Sequence, residues 1–226
     1  MESLPTFIGI IFGLTTLVGI GLFCLASKSR LTTFFLLILW LNIQSYIGQS
    51  GYYRVTDTIP PRFLLLILPP IMLIAALFMT RSGRQYLDGI DIKTLTLLHI
   101  IRIPVELVLY WLFLNKAVPQ LMTFEGRNFD ILSGITAPLV FYFGFIKKRL
   151  GRNVILLWNF LCLGLLLNIV VNAILSAPFP FQQFAFDQPN IAVLYFPFNL
   201  LPALVVPLVL LAHLVTIRQL MPGNKL

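Results

Sequence analysis

The chain has 226 residues, of which 58% are hydrophobic and only 11% charged, against about 25% charged in an average soluble domain. With a mean hydropathy of +0.93, that balance excludes a soluble globule, a disordered chain, a disulfide scaffold and a coiled coil, and it leaves a polytopic integral membrane protein. The net charge of +8 is not a nucleic-acid footprint, because the basic residues sit in short clusters at the ends of apolar runs, as orientation signals do.

Seven apolar segments follow one another along the chain. Spans of about 20 residues each would use about 140 positions, so residues 1–226 are expected to form a single transmembrane domain. The first segment is 6–26, followed by Lys28 and Arg30. The residues before it, Met1-Glu2-Ser3, lack a positive n-region, so it is expected to be a retained helix and not a cleaved signal. Its Gly9 and Gly13 form a GxxxG pattern, which suits a homodimer contact. The second segment is 31–50. A polar turn at 51–61 leads to the third, 63–79, closed by Arg81 and Arg84. An amphipathic connector at 85–93 precedes the fourth, 95–114. After the loop 115–130 comes the fifth, 131–146, which ends in Lys147-Lys148-Arg149. The sixth is 154–177. A Phe/Gln/Pro-rich loop, 178–190, leads to the seventh, 191–217.

Counting basic residues on alternate sides orients these spans. One side holds Lys28, Arg30, Arg81, Arg84, Lys93, Lys147, Lys148, Arg149, Arg152, Arg218 and Lys225; the other holds Arg54, Arg62, Lys116 and Arg127. The positive-inside rule then puts the N-terminus outside and the C-terminus inside, in a plasma or cytoplasmic (inner) membrane. The acids Glu2, Asp57, Glu125, Asp130 and Asp187 fall on the outer side. The second and third segments echo the sixth and seventh, with Asn42 and Asn168 inside apolar runs and proline-interrupted helices after them, which suggests a 3+1+3 repeat.

Intramembrane charge is the first pointer to a site. In the fourth segment His99, Arg102, Glu106 and Tyr110 fall within about 80° of one another at 100° per residue. Arg102 and Glu106 are one turn apart and are expected to pair, since a charge in mid-helix costs about 2.5–3.5 kcal/mol and persists where it is paired or faces a cavity. Pro104 frees the carbonyl of Ile100 as a further acceptor for Arg102. Three other spans carry amides: Asn42 with Ser45, Tyr46 and Gln49 on one face, Asn168 and Asn172 one turn apart, and Asn199. Their similar depth predicts a polar cavity open to the outside. The loops 122–130 and 178–190 mix Glu125, Arg127, Asn128, Asp130, Asp187, Gln188 and Asn190 with aromatics, more functional groups than a connector needs.

Several chemistries are absent. There is no GxSxG, HExxH, phosphate-binding glycine loop or CxxC, and Cys24 and Cys162 both lie in apolar runs, so no metal ligand set and no cofactor are expected. His99 and His213 lie at equal depth and could bracket a b-type haem; interfacial histidines are the simpler reading. The expected function is binding or transport of a small polar or amphipathic ligand, with Arg102, Glu106, Tyr110, Arg127, Asn42, Asn168, Asn172 and Asn199 as binding residues and membrane lipid as a partner. A membrane-embedded enzyme at the outer leaflet is the alternative, drawing acid and base from Glu125, Asp130, Asp187 and Glu106. A non-catalytic assembly or receptor-like subunit is the third.

Overall fold

The computed structural model describes residues 4–58 and 60–221; Glu2 and Lys225, which enter the charge count, lie outside the described residues. These are 73% helical with no strand. Five helices are long and apolar enough to cross a membrane: α1 (Thr6–Ala26), α2 (Arg30–Gln49), α5 (Ile92–Leu114), α7 (Arg152–Leu175) and α8 (Leu201–Leu220). A sixth arises if α3 (Leu64–Met79) and α4 (Arg81–Asp88), which meet at a 92° bend, are taken together, while α6 (Ile131–Ile146) is shorter. All seven expected segments are therefore helical, but the third and fifth fall below spanning length by themselves.

Prolines decide where these helices deviate. The seventh segment becomes helical only at Leu201, not at 191, and begins with a wide turn at Leu201–Val205, because Pro197 and Pro202 have no N–H for the helical ladder. In α5, the turn His99–Ile101 tightens to a 3-10 helix just ahead of Pro104. Helix α8 is the centre of the bundle and α2 its periphery: 67% of the most apolar stretch is buried in α8 and 17% in α2. Large apolar residues left exposed, such as Leu31, Phe35 and Leu36 on α2, suit faces bathed in lipid.

Helix α2 turns the opposite face inward from the one its asparagine suggests. Asn42, Tyr46 and Gln49 are exposed and Ser45 is half-buried, whereas Gln44 and Gly48 are buried. The reason lies in the neighbouring prolines. Pro207 offers no N–H to the Ala203 carbonyl four residues back, and Trp40 Nε1 donates to that carbonyl at 2.8 Å. Pro69 likewise leaves the Leu65 carbonyl free, and Gln44 Nε2 reaches it at 3.5 Å. Gln44 Oε1 accepts from the buried Tyr53 hydroxyl at 2.6 Å. Trp40→Phe should therefore lower stability in detergent by about 1 kcal/mol. Adding Pro207→Ala, which restores a local N–H, should recover part of that loss in thermal unfolding. Should the double variant be no more stable than the single, Trp40 does not serve that carbonyl.

Candidate functional site

The site begins with Arg102, buried on α5. A buried guanidinium needs acceptors for a planar fork of donors, and three other segments of the fold supply them. Asp130, at the start of α6, takes a bidentate pair: Arg102 Nε donates to Oδ2 at 2.7 Å and Nη2 lies 2.6 Å from Oδ1. Nη1 lies 3.1 Å from His213 Nε2 on α8, and Nη2 reaches the Cys162 carbonyl of α7 at 3.4 Å. Arginine can only donate, so Nε2 of His213 accepts and its Nδ1 carries the proton. Nδ1 then donates to Asn159 Oδ1 at 3.0 Å. Gly134 makes the Asp130 pairing reachable, because a Cβ there would stand 2.8 Å from Ile103 Cγ1 and 3.0 Å from Ile103 N, so α6 packs directly on the α5 backbone.

The expected pairing of Arg102 with Glu106 is corrected by this geometry. Glu106 instead accepts from Asn128 Nδ2, which lies 2.7 Å from each carboxyl oxygen. The same nitrogen lies 3.0 Å from the Met122 carbonyl, and Asn128 Oδ1 accepts from the Asp130 backbone N–H at 3.0 Å. The loop before α6 is thus folded inward, with Met122, Thr123 and Asn128 buried. Gly126 permits the fold, since a Cβ there would collide with the Gln120 carbonyl oxygen. Arg102 finds its backbone acceptor at Cys162, not at the Ile100 carbonyl that Pro104 frees.

His99 completes the group. Its ring stacks on His213 with centroids 3.9 Å apart and 19° between planes, and meets Trp158 edge-on at 5.6 Å. Neither ring nitrogen has a hydrogen-bond partner among the described residues. The two imidazoles touch face to face.

A cavity of about 200 Å³ lies beside this network, between α3, α5, α7 and α8. Glu106, Asp130 and Asn190 are the polar side chains on its wall among the described residues; the rest is apolar, with Leu109, Ile169 and Leu210 among it. Asn190 comes from the loop 178–190. Its Nδ2 is committed to the Ala173 carbonyl at 3.1 Å, and its buried Oδ1 has no partner among the described residues. Gln188 pins the same loop to the end of α5, donating to the Phe113 and Val118 carbonyls at 3.0 and 2.6 Å.

The remaining expected site residues are dispersed. Glu125, Arg127 and Asp187 are exposed, so of the four loop charges Asp130 alone turns inward. Asn42 is exposed and donates back to Ile38 of its own helix. Asn168 is exposed and donates to the Arg127 carbonyl; Asn172 is buried and donates back to Asn168. Asn199 is buried and donates to the Gln44 carbonyl at 2.9 Å, and none of these four lines the cavity. Tyr110 is half-buried against Phe124, with ring centroids 4.9 Å apart. Gly9 faces Pro197 of its own chain, while nothing lies within 4 Å of a Cβ at Gly13. Asn159 is absent from the expected residues, and Asn128 and Asn190 are named there only as part of the loops, without a binding role. For Asn128 and Asn190 a signal existed: a neutral amide in a loop can follow its backbone into the bundle at lower desolvation cost than the charges around it.

Fold and site together define an all-α protein of membrane-spanning helices with a buried Arg–Asp–His–Asn–Glu network beside a mostly apolar cavity. The chain belongs to the family described as Domain of unknown function (DUF8737), which matches residues 59–221. That stretch holds every residue of the network and leaves α1 and α2 outside. No curated protein and no solved structure matches the chain.

Proposed function

We propose that the protein binds, and carries within the membrane, a small amphipathic molecule whose head group donates hydrogen bonds, with a primary amine fitting best. The observation that carries this reading is the polar wall of the cavity beside Glu106. The two carboxylates, Glu106 and Asp130, present acceptors, and Asn190 adds a buried Oδ1 with no partner among the described residues while one N–H of its amide is used by the Ala173 carbonyl. A ligand must therefore bring the donors. Arg102 balances Asp130, whereas Glu106 receives a neutral amide, which favours a cationic head at Glu106. The apolar lining suits the ligand's body, and about 200 Å³ lies below the range of about 300–1,000 Å³ for drug-sized ligands, so the body is a short chain or small ring. On the charge balance of the loops, the end of the cavity walled by Met122, Asp130 and Asn190 is the outer one. Both carboxylates are held by fixed partners, which suits recognition better than proton shuttling.

The test is thermal unfolding in lipid nanodiscs with octylamine and octyl sulfate at matched concentrations. Octylamine at 100 times its dissociation constant should stabilise the protein by about 2.7 kcal/mol, with no comparable gain from octyl sulfate. Glu106→Gln combined with Asn190→Leu should abolish the gain. Equal stabilisation by the two compounds, or an octylamine effect untouched by the double variant, would show that the acceptor wall is not the recognition element.

A further inference from the structure

A second concavity lies across α3 and α8 from the first, with Pro207 on the wall of both. Between α2, α3 and α8 runs a groove of about 580 Å³ lined by apolar side chains that include Leu36, Ile43, Leu73, Leu77, Leu208 and Leu211. Trp40, bonded to the Ala203 carbonyl, lies toward one end. At the other end stand three hydroxyls. Ser27 Oγ and Thr33 Oγ1 are 2.8 Å apart, and each lies 3.1 Å from Tyr86 Oη. Thr33 and Tyr86 line the groove, and Ser27 is buried behind them. Three hydroxyls in a closed triangle carry three protons, and those of Thr33 and Tyr86 can rotate to an acceptor in the groove while Ser27 supports them from behind.

The charge around this end is one-sided. Lys28 and Arg30 flank the turn between α1 and α2, Arg81 opens α4, and all three are exposed. The acids nearby are already engaged: Asp88 pairs with Arg218, and Asp91 caps the first turn of α5. From Thr33 to Ile43 the groove follows α2 for about 15 Å at 1.5 Å per residue, half of a hydrocarbon core about 30 Å thick. A groove one leaflet deep, apolar along its length, with hydroxyl donors at its end and exposed cations on the adjoining turns, complements a lipid of that leaflet with a negative head.

We propose that this groove seats one anionic phospholipid. Its phosphate lies against the Thr33 and Tyr86 hydroxyls, which Ser27 backs, with Lys28, Arg30 and Arg81 on the neighbouring turns, and its acyl chain runs along α2 toward Trp40. The site is separate from the cavity at Glu106 and stands or falls independently of the ligand reading.

Native mass spectrometry of the detergent-solubilised chain tests it, with phosphatidylglycerol and phosphatidylcholine of identical acyl chains. One phosphatidylglycerol per chain should be retained in preference to phosphatidylcholine. Lys28→Gln, Arg30→Gln and Arg81→Gln should each lower that preference about fivefold. These side chains are exposed, so the variants keep the fold, and the comparison of the two lipids on the unaltered chain needs no variant. Leu73→Trp, which fills the groove, should remove the adduct, and inorganic phosphate should not displace it. Equal retention of both lipids, an adduct that survives Leu73→Trp, displacement by inorganic phosphate, or a dimer that binds no lipid would each overturn the proposal.

Discussion

Arg102→Met should lower the yield of folded protein sharply and destabilise what remains by about 3–5 kcal/mol, the range for breaking a buried ion pair from one side. Asp130 would be left buried and uncompensated, and His213 Nε2 and the Cys162 carbonyl would lose their donor. Removing the second charge separates the two carboxylates. Arg102→Met with Asp130→Asn should recover a substantial part of the loss, whereas Arg102→Met with Glu106→Gln should not. Size-exclusion profiles and thermal unfolding in one detergent give both readings. If the Glu106 double variant is the better recovered, the pairing runs along the helix after all and the cross-helix network is not what holds α6 to α5.

Asn128→Leu should produce the next largest loss, about 3 kcal/mol or more. The amide donates to both oxygens of Glu106 and accepts from the Asp130 N–H, and a hydrogen bond to a charged group contributes about 1.5–3 kcal/mol. Asn128→Asp should be worse than Asn128→Leu, because it removes the same donors and sets a third carboxylate between Glu106 and Asp130. Asn168→Leu is the control. That amide is exposed and makes one bond, to the Arg127 carbonyl, so its loss should stay within about 1 kcal/mol. Comparable losses at positions 128 and 168 would mean that the inward loop is not an energetic centre of the fold.

The two predictions depend on contacts that local patterning does not encode. Arg102 and Glu106 share a helical face, and a rule based on sequence spacing pairs them. The pairing is settled instead by how closely α6 approaches α5 at Gly134, which brings an oppositely charged group from 28 positions away into bidentate geometry, stronger than a single contact. The asparagines mislead for a different reason. Within a helix an amide can donate to the carbonyl four residues back, as Asn42, Asn159 and Asn172 do, so it needs neither a cavity nor a neighbour to be satisfied. Equal depth in the membrane therefore carries little information about a shared site.

Composition and the periodic placement of apolar runs determined by themselves that the chain is helical and membrane-compatible, with five or six helices long and apolar enough to cross a membrane, because exclusion of polar groups from hydrocarbon acts on each stretch of chain independently. They also marked Arg102 and Glu106 as charges that require an explanation, but did not separate Asp130 from the other loop charges. Tertiary structure alone decided which partner each charge takes, that α2 turns Trp40 and Gln44 inward toward carbonyls freed by Pro207 and Pro69, and that two loop amides, Asn128 and Asn190, enter the bundle while Glu125, Arg127 and Asp187 remain outside. Those outcomes rest on satisfying every buried donor and acceptor at once across helices distant in sequence, a condition that becomes definite only when the helices are packed together.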